Sequence, residues 1–426
     1  MADLRVDFAG IKAPNPFWLA SAPPTDKAYN VERAFAAGWG GVVWKTLGED
    51  PPIVNVSSRY GGYALGDDRL VGLSNIELIT DRPLQVNLDE IKAVKQAWPD
   101  RAVVVSLMVP CDEEAWKRIL ARVEETGADG VELNFGCPHG MSERGMGSAV
   151  GQVPDYVEMV TRWVKAATRM PVLVKLTPNI SDIRQPARAA KAGGADGVSL
   201  INTIHSIVSV DLDAMAPTPV VDGLGTHAGY CGPAVKPIAL AMVAEIARDP
   251  ATAGLPISGI GGVSTWRDAA EYLALGAGTV QVCTAAMHHG FRIVSDMISG
   301  LSNFMDAKGY ATIDELRGRA VGNVVDWNRL NLNYKVVAEI DQDSCIRCGL
   351  CHIACEDTAH QAITAGRLDG RRVYEVMEEA CVGCNLCLHV CPAPGTISMK
   401  RVDAGGPKLT WPEHPNNPMR TCDAAE

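Results

Sequence analysis

The sequence predicts an α/β protein in which a (β/α)8 barrel, or TIM barrel, precedes a smaller C-terminal α+β domain. Three observations support this prediction. The chain has 426 residues, more than one core usually holds; apolar runs alternate with amphipathic helices over roughly the first three hundred residues; and two matching cysteine runs lie near the C-terminus. The composition, 47% hydrophobic and 21% charged, is that of an ordinary globular protein.

Eight short apolar runs are candidate barrel strands. Several follow a helix-stopping Gly and a short turn, which is typical of a helix that leads into a buried parallel strand. In chain order they are NPFWLASA, AAGWGGVVWKT, AVVVSLM, ETGADGVELN, PVLVKLTP, AGGADGVSLINT, LPISGIGG and LGAGTVQVCTA. Helices are expected between them, for example over Glu113–Thr126, Tyr156–Arg169 and Val235–Ala247. Eight units favour a barrel over a doubly wound sheet, and no G-x-G-x-x-G turn follows the first run.

The same pattern suggests the domain limits. The barrel is expected over 1–309, a mostly helical connector over 310–341, the cysteine-rich domain over 342–400 and a tail over 401–426. The tail is rich in Pro, Gly and Asn, so we expect it to drape over the protein or to be disordered. Its cysteine, Cys422, has no obvious partner.

Charge and composition exclude several classes of function. A formal charge of −11 and a pI near 5.4 argue against a nucleic-acid partner, which would need clustered Lys and Arg. Asp3, Arg5 and Asp7 interrupt the start of the chain where a signal peptide would be apolar, and no run is long enough to span a membrane. We therefore expect a cytoplasmic protein with no membrane partner.

The two cysteine runs, CIRCGLCHIAC from Cys345 and CVGCNLCLHVCP from Cys381, both have the spacing C-x2-C-x2-C-x3-C. This is the bacterial two-cluster ferredoxin pattern, in which the fourth cysteine of each run ligates the other [4Fe–4S] cluster. The predicted ligand sets are Cys345, Cys348, Cys351 and Cys391 for one cluster, and Cys381, Cys384, Cys387 and Cys355 for the other. Zinc, the alternative, prefers two separated cysteine pairs and fits this spacing poorly. The domain is thus predicted to be a two-[4Fe–4S] ferredoxin-like domain that carries single electrons.

In a barrel of this kind the chemistry lies at the C-terminal ends of the strands. The candidate groups there are Ala20, Ser21, Lys45, Thr46, Asn134, Cys137, Lys175, Asn202, Thr203, Cys283 and Thr284, with Asn75 between the second and third strands. The thiol of Cys137 could be a nucleophile, a ligand or a proton donor, or simply a buried structural group.

Two loops, GIGGVS after the seventh run and CTAA after the eighth, lie where barrels commonly bind phosphate. A phosphate-bearing cofactor is predicted, and flavin mononucleotide (FMN) suits because it exchanges single electrons with clusters and delivers hydride to carbon. Lys175 would offset charge on the reduced ring, and Lys45 would lie near its rim. For each lysine the alternative is an ion pair with a buried carboxylate.

Many motifs together resemble the dihydropyrimidine dehydrogenase family over about Leu4 to Lys400. They are NPFWLASAPP, AGWGGVVWKT, LSNIELI, NFGCPHGMSERGMG, VKLTPNISDI, AAKAGGADGVSLINT, GPAVKPIAL, GIGG and the two cysteine runs. Order and length are most similar to the catalytic subunit of the bacterial NAD-dependent enzymes. The resemblance implies an FMN barrel with two [4Fe–4S] clusters, fed by a separate FAD and iron–sulfur subunit that oxidises NADH. It implies a hetero-oligomer, for which a heterotetramer is one stoichiometry.

The resemblance also implies residue roles. Cys137 matches the proton donor, and Asn75, Asn134, Asn202 and Thr203 match pyrimidine-binding positions. The matches to flavin-contacting positions are Ala20, Ser21, Lys45, Thr46, Asn134, Lys175, Gly229, Gly261, Gly262, Cys283 and Thr284. The implied reaction reduces uracil or thymine to 5,6-dihydrouracil or dihydrothymine, with hydride passing from flavin N5 to C6 and Cys137 protonating C5. Gly136 departs from the family, which usually shows Ser there.

Three other functions were weighed against this one. A dihydroorotate dehydrogenase shares the barrel but not the fused cysteine domain. A tRNA-dihydrouridine enzyme is disfavoured by the acidic charge. A non-catalytic iron–sulfur electron-transfer subunit would leave the amides at the strand ends without a purpose.

Overall fold

The structure is a computed structural model that describes residues 2–66, 69–402 and 406–420. Cys422 lies outside the described residues. Between Val324 and Val325 the chain divides into two compact units. Within the described ranges, none of the helices combines the length and apolar character that crossing a bilayer requires.

The strands of the first unit form a closed barrel and three smaller sheets. In chain order they are β1 (Val6–Phe8), β2 (Ile11–Ala13), β3 (Phe17–Leu19), β4 (Gly41–Leu47), β5 (Tyr60–Leu65), β6 (Arg69–Asn75), β7 (Ala102–Leu107), β8 (Gly130–Asn134), β9 (Val172–Lys175), β10 (Gly197–Leu200), β11 (Ile204–Ser206), β12 (Val210–Asp211), β13 (Ala216–Pro217), β14 (Ala228–Cys231), β15 (Ile257–Ile260) and β16 (Ala277–Val282).

The barrel order is β3-β4-β7-β8-β9-β10-β15-β16, with parallel pairing throughout. Each barrel strand comes from one of the eight predicted apolar runs, so the predicted (β/α)8 barrel is confirmed. The residues of these strands are buried without exception, which explains why the runs show no polar alternation.

Helices connect the strands and cover the barrel. They are α1 (Ala28–Ala37), α2 (Leu84–Ala97), α3 (Glu113–Glu124), α4 (Ser148–Gly151), α5 (Pro154–Ala167), α6 (Arg184–Ala192), α7 (Lys236–Arg248), α8 (Trp266–Ala274), α9 (Thr284–His289), α10 (Ile293–Lys308) and α11 (Ile313–Leu316). The start of α3 follows from its sequence: Asp112 accepts a hydrogen bond from the backbone N–H of Glu114, and Trp116 and Ile119 face the core.

The hairpin of β1 and β2 packs against one end of the barrel. Phe8 and Ile11 bury their side chains against Trp18, Val104 and Leu173, and the Phe8 and Trp18 rings meet edge to face at 5.8 Å. Burying a side chain of this size contributes about 1.5–3 kcal/mol. Ile11 also approaches Gly130, the first residue of β8, so the hairpin covers the N-terminal ends of the strands. The C-terminal ends are left for the site.

A four-stranded antiparallel sheet, in the order β11-β14-β6-β5, is an addition that the apolar runs did not predict. It places Asn75, the last residue of β6, opposite Gly229 of β14. Strand β11 begins at Ile204, immediately after the predicted site residues Asn202 and Thr203. The sheet therefore connects three segments that carry candidate site residues.

The second unit is a small α+β domain built from two β ladders and two short helices. Its elements are β17 (Lys335–Ile340), α12 (Leu350–Glu356), β18 (Ile363–Leu368), β19 (Arg371–Val376), α13 (Leu386–Val390) and β20 (Ile397–Val402). β17 pairs with β20, and β18 with β19, both antiparallel. Buried Cys351, Cys387 and Tyr374 share its core.

The segment 310–341 differs from the expected helical connector. Its one α-helix, α11, has four residues, and its last part forms β17 because Val336 and Val337 pair with β20. Within 406–420, the backbone N–H of Leu409 donates to the Asn331 side chain, and the Leu409 carbonyl accepts from the N–H of Leu332. The domain limits themselves stay predictions.

Candidate active site

A single cavity at the C-terminal ends of the barrel strands brings the predicted residues together. It encloses about 1140 Å³ of empty space, part of it open to solvent. Its lining includes Ala20, Ser21, Lys45, Thr46, Asn75, Asn134, Cys137, Lys175, Asn202, Thr203, Gly261, Gly262, Cys283 and Thr284. Gly229 is the one predicted barrel residue outside this lining; Gly232, three residues later, is in it. Concave, mostly apolar pockets with a few convergent polar groups are typical small-molecule sites, and this cavity has that composition.

The asparagine amides in the cavity are hydrogen-bonded to one another and to the backbone. Asn202 Nδ2 donates to Asn134 Oδ1 at 2.9 Å, and Asn134 Nδ2 donates to Thr46 Oγ1 at 3.0 Å. Asn202 Oδ1 accepts from the backbone N–H of Thr203 at 2.8 Å, while Asn75 Nδ2 donates to the Gly229 carbonyl at 3.2 Å. These bonds fix which face of each amide donates and which accepts.

The structure explains why position 136 is a glycine. A Cβ at this position would lie 2.4 Å from the Cβ of Asn202, closer than real contacts allow. In this chain the Asn202 side chain occupies the space that a larger residue at position 136 would need. The glycine therefore permits the close approach of the two asparagine-bearing loops.

Cys137 holds a buried thiol in the cavity wall. Its Sγ donates to the carbonyl oxygen of His139 at 3.5 Å, and its side chain packs with Ile79, Met108 and Met141. Burial raises the pKa of Cys137 to about 11, against smaller lowering effects from the His139 backbone and the charge of Lys175. A thiol with this pKa is protonated at neutral pH, so it suits a proton donor better than a nucleophile.

Lys45 forms the ion pair that the sequence left open. Its Nζ lies 2.6 Å from Glu77 Oε1 and 3.7 Å from Asp26 Oδ2. Arg59 Nη1 lies 3.3 Å from the same Glu77 oxygen, and the Tyr60 hydroxyl donates to the other one. Glu77 is thus the centre of a network beside the cavity in which Lys45 is buried, Arg59 is half-buried and Tyr60 is exposed, and it was not among the predicted site residues.

Lys175 is held differently. Its Nζ lies 3.7 Å from Glu132 Oε1, an oxygen that is buried and accepts no hydrogen bond within the described part of the chain. Glu132 Oε2 accepts from Ser199 Oγ at 2.7 Å and from Gln281 Nε2 at 3.3 Å. Glu132 and Gln281 were also missed. A charged or amide side chain within a fully buried strand was the signal that could have found them.

His139 is a further cavity residue that the sequence did not identify. Its Nε2 lies 3.2 Å from the Glu77 carbonyl oxygen, and its Nδ1 is buried without a partner among the described residues. Burial lowers the pKa of His139, so the ring is neutral near pH 7. The neutral ring links the Cys137 loop to the Glu77 network.

The glycine loops leave space for backbone to approach a ligand. Gly232, Gly261 and Gly262 have φ angles of 96°, 128° and 68°, which favour glycine. A Cβ on Gly262 would lie 2.7 Å from the Lys236 Cβ. Thr284, the first residue of α9, also lines this end of the cavity. These features fit a phosphate-bearing cofactor. Gln281 also lines the cavity, and its Oε1 is buried with no hydrogen-bond partner among the described residues.

One predicted cysteine set surrounds a cavity in the second unit. Cys355, Cys381, Cys384 and Cys387 line about 370 Å³ of empty space, together with apolar residues such as Ala338 and Met399. Among the described residues, no three His, Cys, Asp or Glu side chains converge closely enough to hold a single metal ion. Four thiols around one cavity are the kind of ligand set that holds an iron–sulfur cluster.

The chemistry of the other predicted set, Cys345, Cys348, Cys351 and Cys391, is consistent with iron–sulfur binding. Burial raises the pKa of Cys351 to about 11, and the nearby thiols of Cys345 and Cys348 add to the rise. A buried group of thiols ionises only beside a strong positive charge, which iron would supply. In this set a backbone N–H points at sulfur, with Arg347 N 3.4 Å from Cys345 Sγ. In the set around the cavity, Ala362 N lies 3.2 Å from Cys355 Sγ.

Two family profiles match this chain. Residues 3–305 match the dihydroorotate dehydrogenase family, and residues 338–399 match the 4Fe-4S dicluster domain. The first match covers the barrel and the second covers both cysteine runs. The dicluster match agrees with the iron–sulfur interpretation of the runs.

Named relatives fall into two groups. The NAD-dependent dihydropyrimidine dehydrogenase subunit PreA of Escherichia coli K12 is 43% identical over 85% of this chain and 87% of its own length. The chloroplastic dihydropyrimidine dehydrogenase (NADP(+)) of Arabidopsis thaliana is 43% identical over 75% of this chain and 77% of its own. The catalytic subunit of dihydroorotate dehydrogenase B (NAD(+)) of Pyrococcus abyssi is 36% identical over 75% of this chain and 99% of its own.

Proposed function

This chain belongs to the dihydroorotate dehydrogenase family, among oxidoreductases that include the dihydropyrimidine dehydrogenases, and we propose that it reduces the C5=C6 double bond of uracil or thymine. The observation that carries the proposal is one cavity that combines three asparagine amides, a buried protonated thiol and a glycine-lined end suited to phosphate. In it FMN would lie between the glycine loops and the amides. The protein would act in the cytoplasm as the catalytic subunit of an NAD-dependent dihydropyrimidine dehydrogenase.

The amides would bind and orient the base. Uracil and thymine present alternating N–H and C=O groups, and an asparagine offers both a donor and an acceptor. Asn134 and Asn202 hold each other in place, and Asn75 is fixed through Gly229, so the three amides are oriented before a base arrives. Thr203 follows directly on the same loop. Such preorganisation lowers the entropy lost on binding.

Cys137 would hold the proton that C5 receives. With its pKa near 11 the thiol keeps its proton at neutral pH until a stronger base forms beside it. A bound FMN would supply the hydride to C6 and accept single electrons from iron–sulfur clusters. Lys175, whose nearest carboxylate oxygen is 3.7 Å away, would stabilise negative charge near the reduced ring. The remaining predicted flavin contacts come from Ala20, Ser21, Thr46, Gly261, Gly262, Cys283 and Thr284.

Dihydroorotate oxidation, the second candidate, fits this cavity less well. Orotate carries a carboxylate, and a cation commonly binds such a group. Among the described lining residues the Lys and Arg side chains are Lys45 and Lys175. Lys45 is paired with Glu77 and Asp26, and Lys175 faces Glu132. The amide-rich lining therefore favours a neutral pyrimidine.

The cysteine unit would hold two [4Fe–4S] clusters that carry electrons to the flavin. We propose as their source a separate FAD and iron–sulfur subunit that oxidises NADH, in a hetero-oligomer such as a heterotetramer. The word "subunit" in the name of the E. coli relative supports a partner of some kind. As a pure electron-transfer subunit, the chain would have no use for the preoriented amides.

Anaerobic reconstitution tests the proposal. The iron- and FMN-loaded chain is combined with an NADH-oxidising flavoprotein subunit, and NADH absorbance is followed before and after uracil or thymine is added. We expect NADH loss that depends on the base and equals the dihydropyrimidine formed. NADH loss that is indifferent to the base would reject this activity.

A further inference from the structure

The second unit has two exposed edges built by matching parts of the cysteine runs. Cys348 and Cys384 occupy equivalent positions and are both exposed. Gly349 and Asn385, the next residues, both adopt left-handed conformations that begin α12 and α13. We call the residues around Cys348, namely Ile346, Arg347 and Leu350, the first edge, and those around Cys384, namely Val382, Gly383 and Leu386, the second edge.

The apolar side chains of the two edges are exposed to similar extents. Ile346 and Val382 are 63% and 56% exposed, and Leu350 and Leu386 are 44% and 39% exposed. Exposed aliphatic side chains beside a ligand cysteine are what a docking partner would cover. They also mark the places where a bound cluster would lie nearest to the solvent.

The charges of the two edges differ. Arg347 of the first edge corresponds to Gly383 of the second. Arg347 Nη1 donates to the carbonyl oxygen of Arg372 at 2.8 Å, which joins the first edge to the β18–β19 hairpin. In that hairpin Arg372 lies directly opposite Arg367, and both are exposed. The first edge is thus extended by two facing arginines. Beside the second edge, where Gly383 approaches Val336 of β17, the basic residues are exposed Lys335, Lys400, which lies 3.6 Å from Glu378, and Arg401, which lies over the Tyr334 ring.

Acidic residues do not cancel this difference. Asp341 and Asp343 precede the first run, but Glu378 and Glu379 precede the second in the same way. Asp369, in the hairpin turn, is the further acid near the arginines. In the part of the chain that the structure describes, no ion pair involves Arg347, Arg367 or Arg372, so their charges are not neutralised locally.

Like charges opposite each other on a hairpin repel, so Arg367 and Arg372 do not pair to stabilise the fold. In a chain with a net charge of −11, three unpaired arginines beside exposed aliphatic groups form an unusual surface. Arginine is enriched at protein interfaces, and the buried core of an interface is more apolar than the rest of the surface. An acidic surface would complement this one and be guided to it.

We propose that the first edge, together with Arg367 and Arg372, is where an acidic surface of the electron-donating partner docks. This inference rests on the proposed function, since it assigns the entry point for the partner's electrons. Cys345, Cys348, Cys351 and Cys391 would hold the cluster at this edge, and that cluster would accept one electron from the reduced donor as the donor is oxidised by one electron. No proton moves in this step.

The test uses the iron- and FMN-loaded full chain and, as the probe, a small acidic ferredoxin reduced with dithionite. Stopped-flow absorbance gives the second-order rate constant for electron transfer into the chain, at low salt and at physiological salt, where screening lengths are about 30 Å and 8 Å. Arg367→Gln/Arg372→Gln is compared with Lys408→Gln/Arg420→Gln, which removes the same charge elsewhere in the second unit. Iron content and circular dichroism verify that each variant is folded.

We expect the wild-type rate to fall steeply with salt, and the Arg367→Gln/Arg372→Gln rate at low salt to be about tenfold lower with a flatter salt dependence. The control pair should match the wild type. Equal rates and salt slopes in all three proteins would overturn the proposal, and so would arginine-dependent self-association in sedimentation velocity without a change in rate, which would assign the edge to a second copy.

A second measurement separates this proposal from the proposed function. Uracil reduction driven by reduced methyl viologen, a small cationic donor, should be unchanged in both variant pairs. If viologen drives no uracil reduction in any of them, the proposed function fails whatever the ferredoxin rates show. If viologen works equally in all three but the ferredoxin rates do not differ, the docking surface alone is wrong.

Discussion

The side-chain amides of Asn134 and Asn202 are hydrogen-bonded to each other, with Asn202 Nδ2 2.9 Å from Asn134 Oδ1. Asn134 is the last residue of barrel strand β8, Asn202 follows barrel strand β10, and the two are 68 positions apart in the chain. Thr46 and the Thr203 backbone complete the network. The donor and acceptor pattern of the cavity is therefore set by the barrel and not by a ligand.

Replacing Asn202 by Asp would place two acceptor oxygens against each other at this contact. We expect the KM for uracil to rise about tenfold to a hundredfold, corresponding to ~1–3 kcal/mol for a buried unpaired polar group, with a smaller change in kcat. Steady-state kinetics with a chemical electron donor measures both. The exposed Asn416→Asp is the control; an equal rise in KM there would show that the effect is not local.

The thiol of Cys137 should titrate far above neutral pH. Because burial raises its pKa to about 11, the thiolate fraction, and with it the rate of alkylation by iodoacetamide, should rise throughout the range from pH 7 to 10 without levelling. Mass spectrometry of the Cys137 peptide follows the reaction. A plateau below pH 8 would mean that the thiol is ionised in the active protein, and the proton-donor role would be lost.

The same residue should control turnover. Cys137→Ala should lower kcat for uracil reduction by roughly 10²–10⁴, the usual contribution of a general acid, while FMN content stays the same. Cys137→Ser keeps a protonated group of similar shape and should retain more activity. Unchanged kcat in the Ala variant would exclude Cys137 as the proton donor.

The Glu77 network should contribute to stability. Glu77→Gln leaves Lys45 and Arg59 without their shared carboxylate in a buried setting, and we expect the free energy of unfolding to fall by about 1–3 kcal/mol. Urea denaturation measures the change. In the exposed pair Lys117–Glu113, Glu113→Gln should cost no more than about 0.5 kcal/mol. Equal losses in the two variants would contradict the special role of the buried network.

The cluster assignment predicts which cysteines act together. Cys355→Ala should remove the same cluster as Cys384→Ala, although Cys355 belongs to the first run, because the two side chains line one cavity. Each variant should lose about half of the iron, and their electron paramagnetic resonance spectra after reduction should agree. If Cys355→Ala instead removed the cluster that Cys348→Ala removes, the crossed pairing of the two runs would be wrong.

Local patterns were sufficient for the barrel and for the cysteine domain. The runs that become buried parallel strands, such as Ala102–Leu107, are mostly apolar, and the cysteine spacing is the pattern of a dicluster domain, so each is visible within a few residues. The strand ends then indicated Lys45, Asn134, Cys137 and Lys175, all of which line the cavity.

The features that the sequence did not predict depend on contacts between residues that are far apart in the chain. Asn75 reaches Gly229 across 154 positions through a sheet that has no local signature, and the same sheet brings Gly232 into the cavity instead of Gly229. Glu77 and Glu132 can be recognised as site residues only from the lysines with which they pair. The C-terminal ends of parallel barrel strands always meet at one end of the barrel, so residues there can be predicted. The partner of a buried charge depends on side-chain packing, which residue spacing does not predict.

The most direct test of the central claim is a competition for the reduced protein. The FMN- and iron-loaded chain is reduced anaerobically with excess reduced methyl viologen and mixed with equal concentrations of uracil, thymine and orotate, and the products are identified by mass spectrometry. We predict dihydrouracil and dihydrothymine, with two electrons consumed per product and little or no dihydroorotate. Dihydroorotate as the main product, or no reduced pyrimidine at all, would contradict the assignment of this cavity to neutral pyrimidines.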